Sequence, residues 1–225
     1  MRMNSQKMKT WMSWSSGKDS VFALYELKRQ NIDVSGLFTT MNQAANRVAM
    51  HAVHETLLDR QGEALSLPVY KILIPSPCPN EVYEREMRRF IEMAKKENVT
   101  HFAFGDLFLE DVKQYRINQL ENTGIQPIFP IWGRPTEGLA KAMIALGQKA
   151  IITCVDPKKL HPSFAGRDFD LSFLKDLPPE IDQCGERGEF HTFVYDSPLF
   201  HSPLEVKTGE IIERDGFVFS DVIPV

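Results

Sequence analysis

Short apolar runs alternate with longer amphipathic stretches from residue 9 to about residue 155, and this alternation restricts the possible folds more than any other feature of the chain. The runs 10–15 (TWMSWS), 34–41 (VSGLFTTM), 68–75 (PVYKILIP), 100–107 (THFAFGDL), 126–132 (QPIFPIW) and 149–155 (KAIITCV) are bounded by Gly, Pro, Asn or Asp, as buried strands tend to be. Between them, residues 80–98 place Tyr83, Met87, Phe90, Ile91 and Ala94 on one helical stripe, with Glu, Arg and Lys on the opposite face. Asn80 is the expected N-cap there, and Glu81 suits the positive end of the helix dipole. Residues 47–63, 109–123 and 136–146 read as helices in the same way, the last two ending at Gly124 and Gly147. Such alternation implies right-handed crossovers and a doubly wound, mostly parallel α/β sheet that binds ligands at the carboxyl ends of its strands.

After about residue 157 the pattern changes. A short helix over residues 170–177 precedes two strand-like runs, 204–213 and 216–225, joined through Arg214-Asp215-Gly216. Asp-Gly between alternating runs signals a hairpin. The expected organisation is one α/β domain over residues 1–156 and a small, partly β C-terminal lobe over residues 157–225.

Composition narrows the function. The formal charge of −4 gives no general attraction for polyanions, and a dedicated nucleic-acid binder would be more basic. Cys78, Cys154 and Cys184 are far apart and form no Cys-x-x-Cys pair, which suits free thiols in a reducing compartment and suggests no structural zinc. The segment MRMNSQKMKTW lacks the apolar core of a secretory signal, and no window approaches the roughly 18 consecutive apolar residues of a membrane helix. A cytoplasmic, membrane-free protein is expected.

The first strand runs into Ser15-Ser16-Gly17-Lys18-Asp19-Ser20, after which a helix begins near Asp19. Backbone N–H groups and a helix N-terminus can converge there on an anion. The loop is not a Walker A sequence, because Asp19 follows Lys18 where Ser or Thr is needed and Met12 stands where the first glycine should be. The hydroxyls of Ser15, Ser16 and Ser20 suit a phosphate group, with Lys18 adding positive charge. Asp19 would repel phosphate directly, so it is expected to hold Mg²⁺ or to brace the loop.

This loop resembles the SGGxDS loop of the ATP pyrophosphatases, the PP-loop or N-type family. The resemblance implies a grip on the β- and γ-phosphates of ATP, attack at the α-phosphate, and release of pyrophosphate. Ser16 departs from that pattern by standing where the family has its first glycine; were φ positive there, serine would cost on the order of 1 kcal/mol.

Further segments narrow the resemblance. Residues 47–54 (RVAMHAVH), 105–120 (GDLFLEDVKQYRINQL), 127–134 (PIFPIWGR) and 182–192 (DQCGERGEFHT) resemble the "MHGVR"-like, "GDI…R", "PLW" and "CGENGEFHT" segments of the diphthine–ammonia ligase family of PP-loop enzymes. The likeness runs over about residues 10–222. Arg187 replaces the usual Asn, and His54 stands where Arg is common; either could alter substrate preference without touching the ATP chemistry.

The resemblance implies a nucleotide-binding domain over residues 1–156 and a substrate lobe over residues 157–225. It further implies ATP and Mg²⁺ as cofactors and a two-step reaction in the cytoplasm. A carboxylate is adenylated, AMP and pyrophosphate are released, and ammonia forms an amide. The carboxylate could be a modified histidine on an elongation factor, and a homo-oligomer stays open. In the second lobe, two glycines let the backbone bend and bring Glu186, Glu189 and His191 into one small volume, where they are candidates for orienting ammonium or taking its proton. Arg47, His51, Gly105 and Asp106 fall at strand ends and are candidates for the nucleotide or substrate cleft. His51 and His54 could in principle share a metal but have no third ligand nearby in sequence. Arg116 is expected to face solvent, and Cys184 to be a buried, inert thiol. Two other readings stay open: a tRNA-modifying PP-loop enzyme, and an ATP-binding sensor without turnover.

Overall fold

The computed structural model describes residues 8–43, 47–48 and 53–225. Its elements are β1 (Thr10–Ser13), α1 (Lys18–Arg29), β2 (Val34–Asn42), β3 (Arg47–Val48), α2 (Glu55–Leu65), β4 (Val69–Ile74), α3 (Asn80–Lys96), β5 (His101–Ala103), α4 (Glu110–Leu120) and β6 (Gln126–Ile128). There follow α5 (Thr136–Ala145), β7 (Lys149–Val155), α6 (Leu171–Asp176), β8 (Phe190–Asp196), β9 (Val206–Arg214) and β10 (Phe217–Pro224).

Five strands form the expected parallel sheet in the order β4-β2-β1-β5-β6. The chain leaves β1 toward β2 on one side and returns to β5 on the other, so the order reverses between β1 and β5. A doubly wound sheet opens a crevice at that point, beyond the strand ends. Successive residues of β1 face opposite layers: Trp11 packs with Phe38, Phe90 and Phe102 under α3, while Met12 joins Leu24, Leu139, Ile152 and Phe193. The second group includes residues of both sheets, so one core runs beneath the crevice.

The sixth expected strand forms at residues 149–155 but belongs to the second sheet. That sheet is antiparallel, in the order β8-β7-β10-β9. From Ala150 to Val155, β7 is buried on both faces, and an unbroken apolar run reads the same in a central antiparallel strand as in a parallel one. The expected hairpin is present: Asp215 and Gly216 both have positive φ, 53° and 79°, as a two-residue turn between twisted strands requires.

Two local expectations are corrected. Residues 47–63 are not one helix, because Arg47 and Val48 pair with Asn42 and Met41 as a short antiparallel strand and α2 starts at Glu55. Asn80 does not cap α3 but is its first residue, with Pro79 in the cap position and no side-chain cap bond. The pre-set φ of proline suits that entry to the helix.

Candidate active site

The loop Ser15–Ser20 lies at the carboxyl end of β1, beside the carboxyl end of β5, at the crevice the topology opens. Ser15, Lys18, Asp19, Ser20, Gly105, Asp106, Glu186 and His191 line one cleft, so most of the candidates from distant stretches do meet. Ser15 Oγ and Ser20 Oγ lie 3.3 Å apart, and Ser20 Oγ donates to the Gly17 carbonyl at 2.9 Å. Gly105 allows the close approach of β5 to α1: a Cβ there would sit 3.2 Å from the Ser20 nitrogen.

Ser16 has φ 67°, the left-handed region that glycine occupies freely. The residue is fully buried and its hydroxyl has no hydrogen-bond partner, while its carbonyl accepts from Val194 N at 3.0 Å and Gln61 Nε2 at 3.1 Å. Replacing Ser16 with glycine removes left-handed strain of about 1 kcal/mol and an orphaned hydroxyl, against glycine's entropic cost of about 0.5–1 kcal/mol. Ser16→Gly should therefore raise stability by about 1 kcal/mol, a Tm increase of roughly 2–4 °C in thermal unfolding. A lower Tm would contradict this reading of the backbone.

Lys18 differs from the expectation that it simply adds charge near phosphate. Its side chain is buried; Nζ pairs with Asp19 Oδ2 at 2.8 Å and donates to the Cys184 carbonyl. The ammonium also sits 5.3 Å from the Phe190 ring centroid and 5.6 Å from that of Phe169. Burial alone would discharge it, yet Asp19 and other negative neighbours hold its pKa above the ordinary lysine value. Lys18 thus joins the Ser15–Ser20 loop to the C-terminal lobe.

Three residues that sequence reasoning missed complete this junction. Thr192 Oγ1 accepts from the Lys18 backbone N–H at 3.0 Å, and Gln148 Nε2 donates to the Lys18 carbonyl at 3.0 Å. The fully buried Gln61 accepts from Trp14 Nε1 at 2.8 Å and donates to Val194 O at 2.7 Å as well as to Ser16 O. Only the position of Thr192, two residues after the alternating Phe190, offered a sequence signal. Thr192→Val leaves a buried N–H without its acceptor, so kcat/KM for ATP should fall about tenfold, and Thr192→Ser should restore it. Equal values for all three proteins would remove Thr192 from the loop's support.

The segment 182–189 is folded by its own carboxylates. Asp182 Oδ1 accepts from Cys184 N at 3.0 Å and Glu186 N at 3.2 Å, while Gly185 takes φ 68° where a Cβ would meet the Phe190 carbonyl at 2.8 Å. Glu189 is buried, with one oxygen on Asp182 N at 3.2 Å and the other on Arg187 N at 2.9 Å. It is therefore placed to brace the turn rather than to line the cleft. Glu186 does face the cleft, its Oε1 accepting from Leu107 N at 2.9 Å. Burial raises its pKa to about 7, although the Leu107 bond pulls the other way. Burial and the nearby Lys18 ammonium lower His191 to about 4, so its imidazole is neutral at pH 7. Cys184 is buried, donates to the Thr136 carbonyl at 3.4 Å, and is held as a neutral thiol by burial.

Arg116, expected to face solvent, lines the cleft instead, with Nε 3.7 Å from Asp106 Oδ2 and its guanidinium 5.1 Å from the Phe104 ring centroid. Burial raises the carboxyls of both Asp19 and Asp106, and Asp19 Oδ1 and Asp106 Oδ2 are buried without hydrogen-bond partners. No group of three His, Cys, Asp or Glu among the described residues could hold a metal alone. Mg²⁺ typically takes one or two carboxylates plus phosphate oxygens, and these two oxygens, neither of which accepts a hydrogen bond, fit that requirement. Of the remaining candidates, Arg47 lies in β3 at the carboxyl end of β2, and His51 lies outside the described residues. His54 Nε2 is 4.0 Å from Asp221 Oδ2.

Residues 8–127 match a model described as diphthamide synthase N-terminal domain, and residues 135–220 match diphthamide synthase C-terminal domain. A "diphthine--ammonia ligase" of Bos taurus is 28% identical over 92% of this chain and 86% of its own length; that of Homo sapiens is 27% identical over the same shares. The Schizosaccharomyces pombe protein of that name is 23% identical over 89% of this chain and 36% of its own. Among solved structures, the U34-tRNA thiolase NcsA from Methanococcus maripaludis is a distant likeness, with 15% identity and TM-score 0.39 over 63% of this chain and 59% of that one. By the two domain models matched, the chain belongs to the diphthamide synthase family.

Proposed function

We propose that this protein is an ATP-dependent amide ligase that adenylates a carboxylate and passes the acyl group to ammonia, releasing AMP and pyrophosphate. The observation that carries the reading is the meeting of the Ser15–Ser20 loop with Glu186 in one cleft at the sheet's switch point. Residues 1–156 would carry the nucleotide and residues 157–225 the acceptor side, whose antiparallel sheet takes in β7 from the end of the first part.

Ser15, Ser20 and the N-terminus of α1 bind the β- and γ-phosphates as one unit. A carboxylate oxygen of the acceptor attacks the α-phosphorus; the bond to the bridging oxygen breaks and pyrophosphate leaves. Asp19 and Asp106 would hold Mg²⁺, which supplies charge neutralisation on the phosphates. Lys18 and Thr192 keep the loop in register with β8. Ammonia then attacks the acyl carbon, the carbon–oxygen bond to AMP breaks, and one nitrogen proton passes to the Glu186 carboxylate. The neutral His191 orients the acyl group by hydrogen bonding, and Glu189 is a positioning residue for the Glu186 turn.

The names of the relatives point to diphthine, a modified histidine on an elongation factor, as the acceptor class. No described helix is long and apolar enough to cross a membrane. Cys78, Cys154 and Cys184 are free thiols, which supports a reducing, cytoplasmic setting. The test is exchange of labelled pyrophosphate into ATP. Exchange that needs a carboxylate acceptor but no ammonium supports adenylation as a separate first step, whereas acceptor-independent formation of ADP opposes it.

A further inference from the structure

The floor of the cleft is acidic. Asp19, Asp106 and Glu186 line it together, and its two cations are already committed, the Lys18 ammonium to Asp19 and the Cys184 carbonyl and the Arg116 guanidinium to Asp106 at 3.7 Å. An anionic acceptor approaching such a floor needs positive charge elsewhere. Two cations offer it from different parts of the chain. Lys113 of α4 has its ammonium 4.2 Å from the Trp132 ring centroid and 5.8 Å from that of Phe129, while the Arg187 guanidinium lies 5.8 Å from the Phe108 centroid. Among the described residues neither is paired with a carboxylate.

Their aromatic partners are next in the chain to Leu107 and to the residue bonded to it. Leu107 donates its N–H to Glu186 and accepts from Gly133 N at 2.8 Å; Trp132 precedes Gly133 and Phe108 follows Leu107. An aromatic face holds a cation in place and removes part of its water, so less ordering remains to be done when an anion arrives. Neither Lys113 nor Arg187 lines the floor where the loop meets β8. The anion they would hold is therefore a different group from the one that meets the nucleotide.

We propose that Lys113 and Arg187 form a cationic rim that receives a second acidic group of the acceptor, one beyond the carboxylate that becomes the amide. This rests on the ligase reading above and adds the acceptor's charge class, a compound or segment with two acidic groups.

Calorimetric titration of the full chain, saturated with Mg²⁺ and a non-hydrolysable ATP analogue, tests it with glutarate and its monomethyl ester, which differ by one charge at similar size. Glutarate should bind at least about tenfold more tightly. Arg187→Asn and Lys113→Met should each lower glutarate affinity about tenfold, leaving the ester and the ATP analogue unaffected. Equal affinity for the two compounds, or binding of neither to the nucleotide-loaded protein, overturns the rim. The ligase reading fails separately, through ADP as the product.

Discussion

Glu186→Gln should reduce amide formation by about 10²–10⁴-fold while leaving ATP binding near wild-type, since positioned proton transfer contributes on that order. In the wild type, activity at constant free ammonia should rise with pH through a single limb near 7, where Glu186 loses its proton. His191, lowered to about 4, should add no limb between pH 5 and 8. Stability should move the opposite way. The neutral Glu186 favours the fold, so its contribution is complete below the unfolded value of 4.5 and is lost as pH rises through about 7. Glutamine keeps the neutral state at every pH, so the variant should gain more in Tm at pH 8 than at pH 5. A variant that keeps both its turnover and the limb near 7 would sink Glu186 as the base.

Asp19→Ala should abolish nucleotide turnover and destabilise the protein by about 3–5 kcal/mol, because it leaves the Lys18 ammonium buried without its carboxylate. Chemical denaturation reads the second effect independently of the first. Asp19→Ala combined with Lys18→Met should recover much of the stability, since neither charge is then left alone, but none of the turnover. If the double variant were no more stable than the single one, the Lys18 ammonium stranded without Asp19 would not be the source of the loss.

The parallel sheet and the strand–loop–helix turn at Ser15–Ser20 were legible because each rests on local pattern. β1 is an apolar run broken by serines, glycine and aspartate, and the periodicity of Tyr83 to Ala94 drew α3 almost to its ends. β7 was harder, since burial on both faces erases the alternation that would assign it to an antiparallel sheet. Ser16 showed the reverse case, a departure from a motif that correctly flagged a positive φ. Within the site, Glu186 and Glu189 look alike in sequence, and only the fold of the turn separates the one facing the cleft from the one bonded to backbone N–H groups. Gln61 and Gln148 could not be found by pattern at all, because each meets the loop across a long stretch of chain.

Attack at the α-phosphate can be read from ³¹P NMR of the full chain turning over ATP with Mg²⁺, ammonium and carboxylate acceptors. AMP and pyrophosphate should appear in equal amounts, dependent on the acceptor and lost in Asp19→Ala; ADP with inorganic phosphate would place the attack at the γ-phosphate instead.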